Sequence, residues 1–266
     1  MKRAKTGADL LKPPAPRPGG QVAVIGPAGS VDSPGRIEAA VRFLETRGFH
    51  CRVMPHALGR FGYLAAPDEG RLADLHNAFA DPSISAIFCV RGGFGSLRLL
   101  DRLDYRRIAL APKPLVGYSD LTALQLALYR RIRLVTFHGP MLSNPAGDDG
   151  NLWRFENWLD FNRSAAGASP ASPCEIPNSA AGDYLCLRPG LAEGPLLGGN
   201  LSMLANLCGT PYLPSLRGAV VFLEDWRESP YRIDRVLTQL RLAGSLDGIA
   251  GLLIGSLAEM AKLDTL

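Results

Sequence analysis

The chain alternates short, β-branched apolar runs with stretches in which apolar residues recur every three to four positions. The run QVAVI at 21–25, closed by Gly26-Pro27, predicts a buried strand. Ser33-Pro34 then supplies a cap residue and a proline suited to a first helical turn. Ile37, Val41 and Leu44 follow at helical spacing, and Gly48 marks the stop. FHCRVM at 49–54 predicts a second strand. A helix is expected over 68–79, closed by Asp81-Pro82. SAIFCV at 85–90 predicts a strand that runs into the glycine turn 92–95 and then a helix within 96–103. PLVGY at 114–118 is a further strand, followed by a helix over 120–131 whose last turn is rich in arginine, as the negative end of a helix favours. LVTFHGPML at 134–142 reads as strand and loop.

Strands alternate with helical patterns through about residue 160. This predicts an α/β fold, with a Rossmann-like parallel sheet covered by helices on both faces in an N-terminal domain over 21–162. Sites in such sheets lie beyond the carboxyl ends of the strands. Residues 163–190 are dominated by small residues and proline and lack periodicity, which predicts a linker. A smaller α/β domain is expected over 191–266. It opens with GPLLGGNLSML and continues with a strand, GAVVFLED, a helix over 230–243 with Ile233, Leu237 and Leu240 on one face, and a strand, IAGLLIGSL. Residues 1–20 are basic and proline-rich, without the apolar stretch of a secretory leader, and read as a disordered tail.

Composition changes this picture little: 47% hydrophobic and 20% charged residues suit a soluble globular protein. Much of the net charge of +4 sits on Lys2, Arg3, Lys5, Lys12 and Arg17, which makes a basic tail rather than a basic face and argues against a nucleic-acid partner. No segment has about 18 continuous apolar residues, so no membrane helix is expected. The five cysteines form no C-x-x-C pair, which suggests a reducing, cytoplasmic compartment without a disulfide framework. The four histidines show no metal-ligand spacing, so no metal is expected.

Three places could carry chemistry. Ser119, in Gly117-Tyr118-Ser119-Asp120, lies between an apolar strand and an amphipathic helix, the context of a nucleophile elbow. Leu121 stands where the usual second glycine would be, and a plain helix cap by Ser119 or Asp120 is the competing reading. Arg91-Gly92-Gly93-Phe94-Gly95-Ser96 reads as an oxyanion loop presenting the Gly93 N–H, as a phosphate cradle or as a simple tight turn. The cradle fails in detail, because Arg98 stands where the dinucleotide pattern needs glycine. Glu224-Asp225 ends an apolar strand, where an ionised group needs a partner. It reads as the acid of a triad, or as a cap or surface acid. His138, in Phe137-His138-Gly139-Pro140, lies near a strand end and could line a site or serve structure alone.

Taken in order with Gly198-Gly199-Asn200-Leu201 and Pro230-Tyr231-Arg232-Ile233-Asp234-Arg235, these strings resemble the LD-carboxypeptidase family from about residue 21 onward. The resemblance implies a cofactor-independent serine peptidase with a Ser-Glu-His triad that removes the terminal D-alanine from murein tetrapeptides. It implies Ser119 as nucleophile, Glu224 as triad acid and the N–H groups of Gly93 and Asp120 as oxyanion hole, in a cytoplasmic homodimer. Arg91, His138 and Asn200 become candidates for substrate contact, Arg91 because a carboxypeptidase needs a cation for the terminal carboxylate.

In that family the catalytic histidine follows the acid in a glycine-containing loop. The 42 residues after Glu224 contain no histidine and end in LAEMAKLDTL. The expectation is therefore a C-terminal domain that is incomplete and a chain impaired in turnover, since a serine without its base is a poor nucleophile. The alternatives are a muropeptide-binding protein without turnover, a peptidase acting on a peptidyl-nucleotide antibiotic and, remotely, a nucleotide-binding domain.

Overall fold

The computed structural model describes residues 10–17, 19–143 and 185–258. Five strands form the first sheet: β1 (Gln21–Ile25), β2 (His50–Val53), β3 (Ile84–Cys89), β4 (Leu115–Gly117) and β5 (Phe137–His138). Their order is β2-β1-β3-β4-β5, and every pair is parallel. The two-residue period of β1 divides its side chains between two cores. Val22 and Val24, with Phe88 and Val116, meet Ile37, Ala40 and Leu44 of helix α1 (Pro34–Thr46). Ala23 and Ile25, with Ile87 and Leu115, meet Leu75 and Phe79 of α2 (Asp68–Ala80) and Leu124 and Leu128 of α4 (Leu121–Ile132). The unbroken apolar strands are thus explained by burial on both faces.

Two local expectations give way. The helix expected within 96–103 is a single 3-10 turn, Ser96–Leu99. A short helix, α3 (Tyr105–Leu110), follows it instead, where Asp104 accepts the Arg107 N–H and so caps a start that the apolar pattern did not mark. Part of the stretch expected to be a tail is also held. Leu11 accepts the Val135 N–H and donates to the Arg133 carbonyl, in a parallel bridge to Leu134. Residues 1–9 and 18 of that stretch lie outside the described residues, as do 144–162 of the expected N-terminal domain, 163–184 of the expected linker and 259–266 of the expected C-terminal domain. Residues 185–190 are exposed and without regular structure.

A second, smaller sheet holds β6 (Leu196–Asn200), β7 (Val220–Trp226) and β8 (Gly251–Ala258), in the order β6-β7-β8 and again parallel. Helix α5 (Leu201–Asn206) follows β6, and α6 (Pro230–Leu242) joins β7 to β8. Leu201, Leu204, Leu223 and Leu240 share one apolar core with Leu124 and Leu128 of α4, so the sheets are joined through the helix that follows Ser119. Gly198 makes the β6–β7 pairing possible: at φ +141, a Cβ there would stand 1.8 Å from the Phe222 carbonyl oxygen.

Arg71 is 1% exposed, the largest fully buried side chain among the described residues. It donates to the carbonyl oxygens of Ala66 (3.1 Å), Gly95 (2.9 Å) and Pro27, and pairs with Asp68. Pro27 follows β1 and Gly95 follows β3, so one guanidinium clamps two of the turns at the carboxyl edge of the sheet. Replacing Arg71 with leucine strands three carbonyls, while Asp68 keeps Arg98 as a partner, and is expected to cost about 3 kcal/mol or more of unfolding free energy in urea denaturation.

Candidate active site

Ser119 sits in the turn between β4 and α4 with φ +61, a left-handed conformation that costs a non-glycine residue about 1 kcal/mol. Its carbonyl accepts the Thr122 N–H (2.9 Å), which locks the turn to the first residues of the helix. This is the backbone of a nucleophile elbow, in which strain lifts the side chain off the sheet edge at a helix N-terminus. Gly92 lies directly against it: a Cβ at Gly92 would stand 2.9 Å from Ser119 Cβ and 3.0 Å from its Oγ. Only glycine therefore lets the turn after β3 approach the hydroxyl.

The same turn carries Gly93, at φ +96. It is anchored through Gly92, whose carbonyl accepts the Gly29 N–H (2.9 Å). Among the described residues, neither the Gly93 N–H nor the Asp120 N–H is donated to another protein group. Both remain available for an anionic oxygen, as an oxyanion hole requires. The Asp120 side chain does not cap its own helix. Instead it accepts the Ser96 N–H (2.8 Å), while the Ser96 hydroxyl donates to the Asp120 carbonyl (2.6 Å). This reciprocal pair joins the glycine turn to the serine turn. Burial pushes the Asp120 carboxyl above the usual carboxylate range, opposed by the Ser96 bonds.

Glu224 reaches the site from β7. It lies opposite Asn200 in register, and the β7–β8 register shifts between Leu223 and Asp225, a local irregularity that re-aims the strand there. Its carboxyl is 17% exposed, and one oxygen, Oε1, is buried without a hydrogen bond and stands 3.9 Å from His138 Nε2. Burial pushes the Glu224 pKa to about 7, Asp225 adds to the rise, and a hydrogen bond with Asn200 opposes it. His138, at the end of β5, packs edge-on to Phe222 and beside Tyr118. Glu224 and His138 therefore meet across the seam between the sheets, on the side of Tyr118, the residue before Ser119.

The remaining candidates are placed as follows. Asn200 is buried, and its amide caps α5 by accepting the Met203 N–H (3.1 Å) and braces Asp225 by donating to it (2.9 Å). The Asn200 N–H donates to Thr122 Oγ1 (3.0 Å), which ties β6 to α4. Arg91 donates to the Ser30 carbonyl and pairs with Asp32, so its charge is shared with the loop between β1 and α1. The other described histidines belong elsewhere: His50 is exposed at the start of β2, His56 pairs with the buried Asp74 (2.9 Å), and His76 Nε2 accepts the Asp104 N–H (3.0 Å). Among the described residues no group of acidic, cysteine and histidine side chains could hold a metal, and Cys51, Cys89, Cys186 and Cys208 are free thiols. No described helix is long and apolar enough to cross a membrane. Sequence reasoning overlooked Arg71, Ser96 and Thr122. Arg71 carried a usable signal, since it falls on the face of α2 that presents Leu75 and Ala78.

Comparison with known proteins gives a concordant result. The LD-carboxypeptidase N-terminal domain matches residues 22–139 and the LD-carboxypeptidase C-terminal domain matches residues 193–265. A probable murein peptide carboxypeptidase of Bacillus subtilis (strain 168) is 40% identical over 244 residues, 91% of this chain and 74% of that protein. The murein tetrapeptide carboxypeptidase of Pseudomonas aeruginosa is 35% identical over 250 residues, 91% of this chain and 78% of its own length. The crystal structure of muramoyltetrapeptide carboxypeptidase from Oxalobacter formigenes superposes with a TM-score of 0.73 at 29% identity, covering 91% of this chain and 78% of that one.

Two outcomes follow from the geometry. Since Ser119 is left-handed, Ser119→Gly should melt higher than Ser119→Ala, by about 1 kcal/mol in stability. The Glu224 carboxyl has a folded pKa above its unfolded one, so the folded state holds the extra proton between pH 4.5 and about 7. Stability should then fall as pH rises through that window, by up to about 3 kcal/mol. Melting curves of Glu224→Gln across the same range should lack that slope.

Proposed function

The chain belongs to the LD-carboxypeptidase family, and from that premise we propose that it is a serine peptidase that removes the terminal D-alanine from murein tetrapeptides. One observation supports this above the rest. Ser119 is held in a strained left-handed turn, with two undonated N–H groups beside it and a partly buried carboxyl, Glu224, delivered from the second sheet. In this reading Ser119 Oγ attacks the carbonyl preceding D-alanine while its proton passes to an imidazole. The N–H groups of Gly93 and Asp120 hold the oxygen that becomes negative. The proton then goes to the nitrogen of departing D-alanine, leaving an acyl ester on Ser119 that water hydrolyses.

Glu224 orients the imidazole and stabilises it once charged. The family pattern draws that imidazole from beyond Glu224, and His138 faces the same carboxyl from the first sheet at 3.9 Å. A cytoplasmic location and a homodimeric state belong to the same reading, and light scattering on the purified protein reports the second.

Incubation with a muramoyl tetrapeptide, followed by chromatography of the released amino acid, tests the proposal. From a chain carrying the family's C-terminal histidine loop, D-alanine release is expected, with Ser119→Ala lowering the rate on the order of 10⁴-fold or more. Tight binding without release would make this a muropeptide-binding protein. Release from a peptidyl-nucleotide and not from the muropeptide would move its substrate to that class.

A further inference from the structure

A cleft of about 350 Å³ lies at the end of α4 remote from Ser119, roughly 15 Å of helix away. Its walls are Arg130 of α4, the loop 213–217 that leads into β7 and the turn 244–247 that follows α6. The two loops are fastened to each other, because the Gly218 N–H donates to the Gly248 carbonyl (2.8 Å) and the Ala250 N–H to the Ala219 carbonyl (2.8 Å). Two cations and one acid line this cleft without neutralising one another. Arg217 lies across Gly248, where a Cβ would stand 2.6 Å from its Nη1. Asp247 folds over Gly244, where a Cβ would stand 3.2 Å from its Oδ2. The side chains of Arg130, Arg217 and Asp247 make no hydrogen bond or ion pair with another described residue. Arg131 and Arg133, by contrast, are engaged by the rings of Tyr105 (5.4 Å) and Tyr129 (4.3 Å).

A guanidinium grips a carboxylate through paired N–H bonds, and a carboxylate beside it accepts from an ammonium. A simple anion in this cleft would meet Asp247, and a simple cation would meet two arginines. A ligand that carries both signs answers all three charges. Leu213 and the buried Leu216 add apolar surface to the same walls. We infer that the cleft binds a free amino acid as its zwitterion, with the carboxylate on Arg130 and Arg217, the ammonium on Asp247 and an aliphatic side chain against Leu213 and Leu216. The site is separate from Ser119 and does not depend on the peptidase reading.

Calorimetric titration of the purified protein with L-leucine, leucinamide and isocaproate tests this, since the second lacks the carboxylate and the third the ammonium. Leucine is expected to bind about tenfold more tightly than either analogue. Arg217→Gln and Asp247→Asn should each weaken leucine binding about tenfold, and both side chains are exposed, so neither variant threatens the fold. Ser119→Ala should leave leucine binding unchanged. Equal binding of leucine and isocaproate makes the cleft an anion site and overturns the zwitterion. Leucine binding that survives both Arg217→Gln and Asp247→Asn, or that is lost in Ser119→Ala, places the ligand elsewhere and overturns the site, as does the absence of leucine binding.

Discussion

The guanidinium of Arg71 is withdrawn from water and given carbonyl oxygens from three loops as partners. Burying an unpaired cation would cost several kcal/mol, so the group is tolerable only where those carbonyls converge. The turns after β1 and β3 are therefore fixed relative to α2 by a single planar donor. Everything at the carboxyl edge of the first sheet inherits that geometry: the Gly29–Gly92 bond and the close approach of Gly92 to Ser119.

On this scaffold the strain at Ser119 is sustained by connections on both sides. Behind it, the first turn of α4 accepts the left-handed residue through the Thr122 N–H. In front, Asp120 and Ser96 bond reciprocally, which converts two loops into one unit. A buried carboxyl in that place is held above its ordinary pKa by desolvation. Its acceptor capacity serves the turn, and the backbone N–H of the same residue is left for a ligand. One residue thus has a structural side chain and a chemically available backbone.

The second half of the site depends on a seam. Thr122, three residues after Ser119, accepts the Asn200 N–H. Asn200 stands opposite Glu224 in register, and its side chain reaches Asp225. The distance between hydroxyl and acid is set through this short chain of contacts. Gly199 permits it, since a Cβ there would stand 2.5 Å from Thr122 Oγ1 and 3.2 Å from His138 Nδ1.

The sequence by itself determined the α/β class, the parallel strands and the positions of Ser119 and Gly93 in turns beyond strand ends, whereas Glu224 lies within β7. Apolar runs such as QVAVI and SAIFCV can be buried only on both faces, and glycine and cap residues mark where such runs turn. It could not distinguish Ser119 from a helix cap, because the difference is a backbone angle imposed by neighbours. Local pattern also misjudged 96–103: Asp120, twenty-four residues away from Ser96, takes its N–H, and a cap at Asp104 starts the next helix instead. The pairing of Glu224 with His138 and the burial that raises the Glu224 pKa were decided by tertiary structure alone. They arise where two sheets meet, between residues 86 positions apart, and no periodicity within either segment encodes that meeting.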